Sequence, residues 1–207
     1  DAGVSIMPCV SHEVATTAVN IRRRLPRAQI VGSIKGGGDS ADGGITAMNN
    51  LLHEAWATAK GLHLADWLRG EPVIWTVNDY DLDLWNGSLG KIIDMTDEGL
   101  SVSFDEGPRV IPTDLLEHLE PAWAITTHKA QGSQFDTVIV PVTKSRILDR
   151  TLLYTAITRA QRRVVLVGDP AVIRTTLARP PHASGRHTYL ADAIRIAIGA
   201  KIEAKVA

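Results

Sequence analysis

The sequence PAWAITTHKAQGSQFDTVIVPV, residues 121–142, decides the fold of this chain. Its apolar run 122–125 and its β-branched run 137–142 predict two buried strands. Between them lies a polar turn, residues 126–134, with hydroxyl, imidazole, ammonium and amide side chains and one glycine. Ligands of open α/β sheets bind at the carboxyl ends of strands, and helix N-termini there offer N–H groups to phosphates. We therefore expect a phosphate or nucleic-acid site in the polar turn.

The composition of the 207 residues is that of an ordinary globular protein, with 44% hydrophobic and 22% charged residues. The formal net charge is −1, so nucleic-acid binding would need a local basic patch. Cys9 is the single cysteine, which excludes an internal disulfide and fits a reducing compartment. No apolar run approaches the roughly 20 residues that span a membrane. We therefore expect a cytoplasmic protein.

Working outward from residues 121–142, strand-like and helix-like segments alternate, which indicates an α/β domain with a mostly parallel sheet. The predicted strands are 4–7, 29–34 and 164–167, and the predicted helices are 11–25, 45–59, 150–162, 171–177 and 189–198. The strand 4–7 is expected to be buried because all but one of its side chains are apolar.

The pattern changes between residues 70 and 119. Short β-type runs at 73–77, 90–93, 100–104 and 109–111 are separated by Asn-Gly and Glu-Gly-Pro turn signals. This spacing is typical of a small β-barrel or meander. We therefore predict one α/β domain, residues 1–69 and 120–207, with an inserted all-β module at 70–119.

The predicted helix 150–162 has an apolar face and a face of threonine and arginine side chains, which includes Arg159. Arg159 could reach a phosphoryl group as an arginine finger. In the polar turn, Thr127, His128 and Lys129 can all donate to phosphate oxygens, and Gly132 lets the backbone approach a ligand closely. Two other interpretations stay open: the helix face is simply solvated, and the polar turn only caps a helix.

Other chemistry finds little support in the sequence. The seven histidines are scattered without metal-ligand spacing, so no metal site is predicted. The single cysteine follows a proline, and no G-x-S-x-G motif for a nucleophilic serine occurs. The phosphate-binding motif G-x-x-x-x-G-K-[ST] is not present in these 207 residues.

The segment ITTHKAQGSQFDTVIVPV, followed by LLYTAITRAQRRVVLVGD, resembles motifs V and VI of superfamily 1 DNA helicases. The resemblance is to the RecD family, the alpha subunit of exodeoxyribonuclease V. Three more segments match in the same order. SIKGGGDSADGGITAMNNLLHEAW resembles the start of the family's second motor domain, VIWTVNDYDLDLWNGSLGKI resembles the start of its inserted barrel, and LEPAWAITTHKAQGSQF resembles the return from that barrel. Together the matching segments extend over roughly residues 30–169.

The resemblance implies the second RecA-like motor domain of a helicase, with a small SH3-like β-barrel inserted. It also implies ATP with Mg²⁺, held mainly by an N-terminal motor domain, and single-stranded DNA as the other ligand. Other subunits of an exonuclease complex are implied as further partners. The residues implied to face ATP are Gly132, Gln134 and Arg159, and those implied to touch DNA are Thr127, His128, Lys129, Asn78 and Tyr80.

The chain departs from the family pattern in two places. The family has Glu where this chain has Gln134, which keeps hydrogen bonding to a ribose but loses the charge. The family reads N-G-D where residues 86–88 read N-G-S. Because the phosphate-binding motif belongs to the first motor domain, we expect the carboxy-terminal half of a larger 5′–3′ translocase, inactive alone. The alternatives are a non-catalytic binding module and the helicase domain of a relaxase-type conjugation protein.

Overall fold

The computed structural model describes residues 3–36, 44–61, 67–145 and 147–181 and the single positions 194 and 198. The glycine-rich segment 37–43 and most of the predicted helix 189–198 lie outside these ranges. The elements in chain order are β1 (Gly3–Met7), a 3-10 turn (Ser11–Glu13), α1 (Val14–Arg24), β2 (Ala28–Gly32), α2 (Ile45–Lys60), β3 (Pro72–Trp75), β4 (Leu89–Thr96), β5 (Gly99–Phe104), β6 (Gly107–Ile111), a 3-10 turn (Thr113–His118), β7 (Leu119–Pro121), β8 (Ala124–Thr126), β9 (Phe135–Pro141), α3 (Arg150–Ile157), β10 (Ala160–Val167) and α4 (Pro170–Ala178).

The first sheet contains five strands in the order β1-β10-β9-β2-β8, and every pair in it is parallel. Consecutive side chains of a strand point to opposite faces. On β2, Ile30 therefore packs in a core with α1 and α2, whereas Val31 packs in a second core with α3 and α4. The α/β class with a mostly parallel sheet, predicted from the alternating segments, is confirmed.

The strand β1 was predicted at the right place, but its predicted burial is wrong. It lies at the edge of the sheet, beside β10, and all five of its residues are exposed. The side chain of Val4 is 65% exposed and that of Ile6 is 50% exposed. The sequence pattern could not distinguish an apolar edge strand from an apolar central one.

The helix predicted at 150–162 is shorter than expected. It begins at Arg150, where the carboxylate of Asp149 caps it by accepting a hydrogen bond from the backbone N–H of Leu152 at 2.8 Å, and it ends at Ile157. The last predicted helical residues instead belong to β10, which pairs with β9 from Ala160 onward. Arg159 therefore lies in the turn between α3 and β10. The prediction that it belongs to a polar helix face is wrong.

The second sheet is antiparallel, with the order β6-β5-β4-β3-β7. It has its own apolar core, which includes Val73 and Trp75 of β3. Ile74, between them, faces the other way and packs in the core of the first sheet. The strand β3 thus belongs to both cores. In the described part of the chain no pairing joins the edge strands β6 and β7.

The chain returns from the second sheet to the first through residues 121–124, which the side chain of Asn49 holds in place. Its amide nitrogen donates to the carbonyls of Pro121 at 3.0 Å and Ala124 at 3.1 Å, and its amide oxygen accepts from the N–H of Ala124 at 2.8 Å. Asn49 is buried, so these bonds satisfy backbone groups that water does not reach. None of the described helices is long and apolar enough to cross a membrane.

Candidate functional site

The polar turn joins two parallel strands, β8 and β9, that are separated in the sheet by β2. Thr126 of β8 lies level with Gly32 of β2, whereas Thr137 of β9 lies level with Ala28. The turn therefore starts at the carboxyl edge of the sheet and ends near its amino edge. The first half of the turn thus lies at the carboxyl edge, where the site is expected, and the second half lies away from it.

Backbone hydrogen bonds within the polar turn define its shape. The N–H of Ala130 donates to the carbonyl of Thr126 at 2.9 Å, and the N–H of Ser133 donates to that of Ala130 at 3.2 Å. Gly132 follows with φ at +87° and with open space where a Cβ would lie. The glycine is therefore required by its backbone conformation and not by crowding.

At the carboxyl edge, the side chain of Thr127 is buried. Its backbone N–H and its hydroxyl both donate to the carbonyl of Gly32, at 2.9 and 3.1 Å. Thr127 therefore fixes the turn to the end of β2, and its contact with DNA stays a prediction. The next residue, His128, is exposed, and Lys129 is partly buried.

Lys129 and Lys35 share one carboxylate, that of Glu120. The Nζ of Lys129 lies 2.9 Å from Oε2 of Glu120, and the Nζ of Lys35 lies 2.9 Å from Oε1. Burial alone would raise the pKa of Glu120, but the hydrogen bonds from the two lysines outweigh it and hold that pKa below its ordinary value. We call these three residues the lysine–glutamate cluster.

At the amino edge, the end of the polar turn meets the turn between α3 and β10. The backbone N–H of Phe135 donates to the carbonyl of Arg159 at 2.9 Å, and Phe135 pairs with Ala160 in the sheet. Gln134 lies beside this pair, where its side-chain oxygen accepts from the amide of Gln161 at 3.4 Å. Two of the residues predicted to face ATP, Gln134 and Arg159, are thus neighbours although they are distant in the sequence.

The guanidinium of Arg159 is held by the end of α3. Its Nε donates to the carbonyl of Thr155 at 3.2 Å, and Nη2 lies 3.5 Å from the hydroxyl of Thr158. Among the described residues no carboxylate forms an ion pair with Arg159. Nearby Arg162, in contrast, pairs with Asp136 at 3.4 Å. The geometry leaves the charge of Arg159 available to an anionic ligand.

The loop between β3 and β4 carries the two other predicted contacts. Asn78 is exposed, and its side-chain oxygen accepts from the N–H of Asn86 at 2.9 Å, which closes the loop. Tyr80 is 77% exposed and stacks edge-on against Trp85, with 5.5 Å between ring centroids and 84° between planes. The loop approaches the polar turn at Gly87, where a Cβ would lie 3.8 Å from the carbonyl oxygen of Lys129.

Sequence reasoning missed three of these side chains: Lys35, Glu120 and Trp85. Lys35 and Glu120 are separated by 85 positions, so no local sequence pattern predicts their contact. The sequence did contain a signal for Trp85. Tryptophan side chains are mostly buried in proteins, so a tryptophan in a polar, turn-rich loop is a candidate for a binding role.

The departure at Ser88 also has a structural consequence. The Ser88 side chain is buried, its hydroxyl donates to the carboxylate of Glu106, and it accepts from the N–H of Trp85 at 3.1 Å. A carboxylate therefore lies next to this position even though the residue itself is serine.

Among the described residues no group of three or more His, Cys, Asp or Glu side chains could hold a metal ion. At the carboxyl edge lie two lysines that share one carboxylate. At the amino edge lies Arg159, which forms no ion pair with a described carboxylate. Phosphates and other anions are the ligands that such groups bind.

Comparison with known proteins defines the class to which this arrangement is similar. Residues 121–167, which contain the polar turn, α3 and Arg159, match the family described as UvrD-like helicase C-terminal domain. This class was the one predicted from the order of the two motifs.

Within that class the resemblance to RecD is confirmed. The chain is 43% identical over 116 residues to the RecBCD enzyme subunit RecD of Mycobacterium tuberculosis, a match that covers 55% of this chain and 20% of that protein. It is 34% identical over 128 residues to the ATP-dependent RecD2 DNA helicase of Deinococcus radiodurans, covering 61% of this chain and 18% of that protein. The matched region thus spans about a fifth of the length of these relatives.

Among solved structures, a Bacteroides Pif1 helicase with ADP-AlF3 and single-stranded DNA overlaps 94% of this chain and 45% of its own, with 18% identity and a TM-score of 0.41. A structure of two coordinating Pif1 helicases at forked DNA overlaps 65% of this chain and 33% of its own, with 26% identity and the same TM-score. The fold described above rests on the strand order of the chain itself.

Proposed function

We propose that this chain is the C-terminal motor domain of a RecD-like, ATP-dependent DNA helicase that moves 5′ to 3′. One observation carries the proposal: the polar turn connects His128 and Lys129 at one edge of the sheet with Gln134 and Arg159 at the other. A single segment thereby joins a candidate strand-binding surface to a candidate nucleotide-binding surface. Such a connection is what a motor needs in order to couple ATP hydrolysis to movement along DNA.

In this proposal Arg159 is the arginine finger, and Gly132 and Gln134 complete the nucleotide-facing surface. ATP and its Mg²⁺ are held mainly by an N-terminal motor domain, and bound ATP supplies the phosphoryl group that is transferred to water. The residues present fit a share in this site, because Arg159 forms no ion pair with a described carboxylate. Its guanidinium stabilises the charge that develops on the transferred group.

The strand-binding surface consists of His128, Lys129, Asn78 and Tyr80. The exposed imidazole and the lysine can donate to backbone phosphates, and the tyrosine can stack against a base. The loop that carries Asn78 and Tyr80 approaches the polar turn at Gly87, so one strand of DNA can touch both. Thr127 fixes the turn that presents His128.

We further propose that the parallel sheet is a RecA-like motor domain, residues 1–69 and 120–207, and that residues 70–119 form an inserted SH3-like barrel. The separate apolar core of the antiparallel sheet supports this division. The partners of the chain are then single-stranded DNA and an N-terminal motor domain of the same protein. Other subunits of an exonuclease complex are further proposed partners, because the relative from Mycobacterium tuberculosis is named as a subunit of the RecBCD enzyme.

The test compares Arg159→Ala with Arg162→Ala in the full-length protein. Arginine fingers contribute about 10³- to 10⁵-fold to the rate of phosphoryl transfer. Arg159→Ala is therefore expected to lower DNA-stimulated ATP hydrolysis by at least about 10³-fold while single-stranded DNA still binds. Arg162, whose side chain is 79% exposed, serves as the control and is expected to leave the rate nearly unchanged. Undiminished hydrolysis by Arg159→Ala would contradict the assignment, and wild-type protein that binds DNA without hydrolysing ATP would indicate a binding module.

A further inference from the structure

We propose that the lysine–glutamate cluster is a binding subsite for one backbone phosphate of single-stranded DNA, and that Glu120 occupies it when DNA is absent. The inference rests on the proposed nucleic-acid function and adds to it two residues and a form of self-inhibition. Lys35 becomes a second phosphate-binding cation beside Lys129, and Glu120 becomes the group that the phosphate displaces.

The geometry of the cluster matches a two-oxygen anion between two cations. Each lysine binds a different oxygen of Glu120, and both distances are 2.9 Å. A phosphodiester likewise has two non-bridging oxygens that carry its charge. Because lysine binds phosphate as a point charge on a flexible stem, both ammonium groups can follow the slightly larger anion.

The surroundings of the cluster are those of a binding subsite. A cavity of about 180 Å³ opens beside the three residues, and its wall is mostly apolar, with Ile45, Ile74 and Ile125 next to Thr46 and Asn50. The side chain of Asn50 is exposed and has no hydrogen-bond partner among the described residues. Pockets for whole small molecules measure roughly 300–1,000 Å³. This cavity is therefore suited to part of a polymer, such as a phosphate and the adjoining sugar atoms.

The ion pairs of the cluster can be exchanged readily. The side chain of Glu120 is 36% exposed and that of Lys35 is 64% exposed, and ion pairs at such positions contribute little net stability. Glu120 is ionised at neutral pH, since the two lysines hold its pKa below 4.5 despite burial, so the carboxylate competes with phosphate as a charged group. DNA binding thus has to separate both lysines from Glu120, which weakens the binding of any strand.

Removing the charge of Glu120 should therefore strengthen binding and make it more sensitive to salt. Each phosphate contact of single-stranded DNA contributes about 0.7 to the slope of log affinity against log salt. Glu120→Gln leaves two lysines without their shared carboxylate. We expect affinity to rise on the order of 3- to 10-fold at 50 mM salt and the slope to steepen by up to about 0.7, the share of one phosphate contact.

The experiment measures fluorescence anisotropy of a labelled oligothymidine between 50 and 200 mM NaCl, with the 207-residue chain. Glu117→Gln is the matched control, because Glu117 lies three residues earlier, is 77% exposed and contacts neither lysine. It changes the net charge equally and should leave the slope unchanged. Adding Lys35→Ala to Glu120→Gln should remove about half of the gain in slope. An unchanged or shallower slope for Glu120→Gln would overturn the proposal.

A second variant keeps the proposal testable if Glu120→Gln does not fold. Glu120→Asp keeps the charge but shortens the side chain by one methylene, so the carboxylate no longer reaches both lysines. It should give a slope between those of wild type and Glu120→Gln, and circular dichroism checks that each variant is folded. A slope for Glu120→Asp equal to that of wild type would also count against the proposal.

Titration with inorganic phosphate separates this inference from the proposed function. In Glu120→Gln, nuclear magnetic resonance should show phosphate-dependent shifts of the backbone amides of Lys35 and Lys129 that wild type shows only at higher concentration. If these shifts occur while no variant binds DNA, the anion subsite stands and the nucleic-acid function falls. If DNA binds but neither the shifts nor the steeper slope occur, the subsite falls and the proposed function stands.

Discussion

The carboxylate of Glu71 accepts a hydrogen bond from the indole nitrogen of Trp123 at 2.9 Å, and neither the carboxylate nor the ring is appreciably exposed. The same carboxylate lies 2.7 Å from Nδ1 of His53 on α2 and 3.3 Å from the backbone nitrogen of Leu68. Glu71 immediately precedes β3, whereas Trp123 immediately precedes β8. One buried side chain therefore ties the start of the antiparallel sheet to the parallel sheet and to α2.

Glu71→Ala is expected to lower the free energy of unfolding by about 3–5 kcal/mol, because it leaves buried donors without a partner. Glu71→Gln keeps the shape and one acceptor and should lower it by about 1–2 kcal/mol. Urea denaturation followed by tryptophan fluorescence measures both. The exposed Glu54, also close to His53 in the sequence, provides the control Glu54→Gln, which should stay within about 0.5 kcal/mol of wild type. Equal losses for Glu71→Ala and Glu54→Gln would refute a structural role for the buried carboxylate.

Gly132 and Gly99 predict different costs for the same substitution. Both have positive φ, +87° and +138°, but a Cβ on Gly132 meets open space while a Cβ on Gly99 would lie 2.2 Å from the carbonyl oxygen of Ile111. Gly132→Ala should therefore cost only the backbone strain, about 1–2 kcal/mol. Gly99→Ala adds overlap with backbone and should cost more than about 3 kcal/mol. Gly61→Ala, at +63° with open space, gives the reference for strain alone in the same urea assay. A cost at Gly132 as large as that at Gly99 would show that Gly132 is packed more tightly than the structure indicates.

Much of the fold could be predicted because its strands are runs of β-branched residues and its helices are amphipathic. The positions of β2, β3, β5 and β9 agree with the predictions to within a few residues. The insertion of β2 between β8 and β9 could not be predicted, because local periodicity carries no information on which strands pair. The helix at 150–162 was too long because apolar spacing continues to Ala160. Pairing of β10 with β9 overrides that spacing.

The sequence predicted which residues belong to the candidate site, but not how these residues contact one another. Thr127 lies in the polar turn, but only the structure shows that its hydroxyl donates a hydrogen bond to the carbonyl of Gly32. The contact between Lys35 and Glu120 joins residues far apart in the sequence, so no motif reports it. The family resemblance placed Gln134 and Arg159 on the same ligand. In the structure the two residues lie close together because Phe135 pairs with Ala160.

The stability that Glu120 contributes should depend on pH in a defined direction. Its pKa in the folded chain lies below the ordinary value of 4.5, because hydrogen bonds from Lys35 and Lys129 favour the ionised form over the cost of burial. The contribution is therefore fully present above pH 4.5 and is lost as pH falls through the lowered pKa. Partial exposure keeps it small, at most about 1 kcal/mol. The difference in unfolding free energy between wild type and Glu120→Gln should shrink from pH 7 to pH 3. A difference that grows on acidification would mean that the carboxylate is stabilised in its protonated form.

The aromatic pair Tyr80 and Trp85 should bind bases of single-stranded DNA by stacking. Both rings are exposed, at 77% and 45%, and their edge-on contact fixes one ring against the other on a loop beside Lys129. Stacking of a base on an aromatic side chain contributes about 1–3 kcal/mol. Tyr80→Ala and Trp85→Ala should therefore each weaken binding of an oligonucleotide by roughly 5- to 150-fold, with little change in the salt slope because no charge is removed.

The control for these two substitutions is Tyr154→Ala. Tyr154 lies on α3, outside the proposed strand-binding surface, and its side chain is 67% exposed. It therefore removes a comparably exposed ring and should leave the affinity unchanged in the same anisotropy assay. If Trp85→Ala binds as wild type does, or if Tyr154→Ala weakens binding equally, the loop between β3 and β4 is not a stacking surface. In that case the strand would be held mainly by phosphate contacts, and most of the affinity would depend on salt concentration.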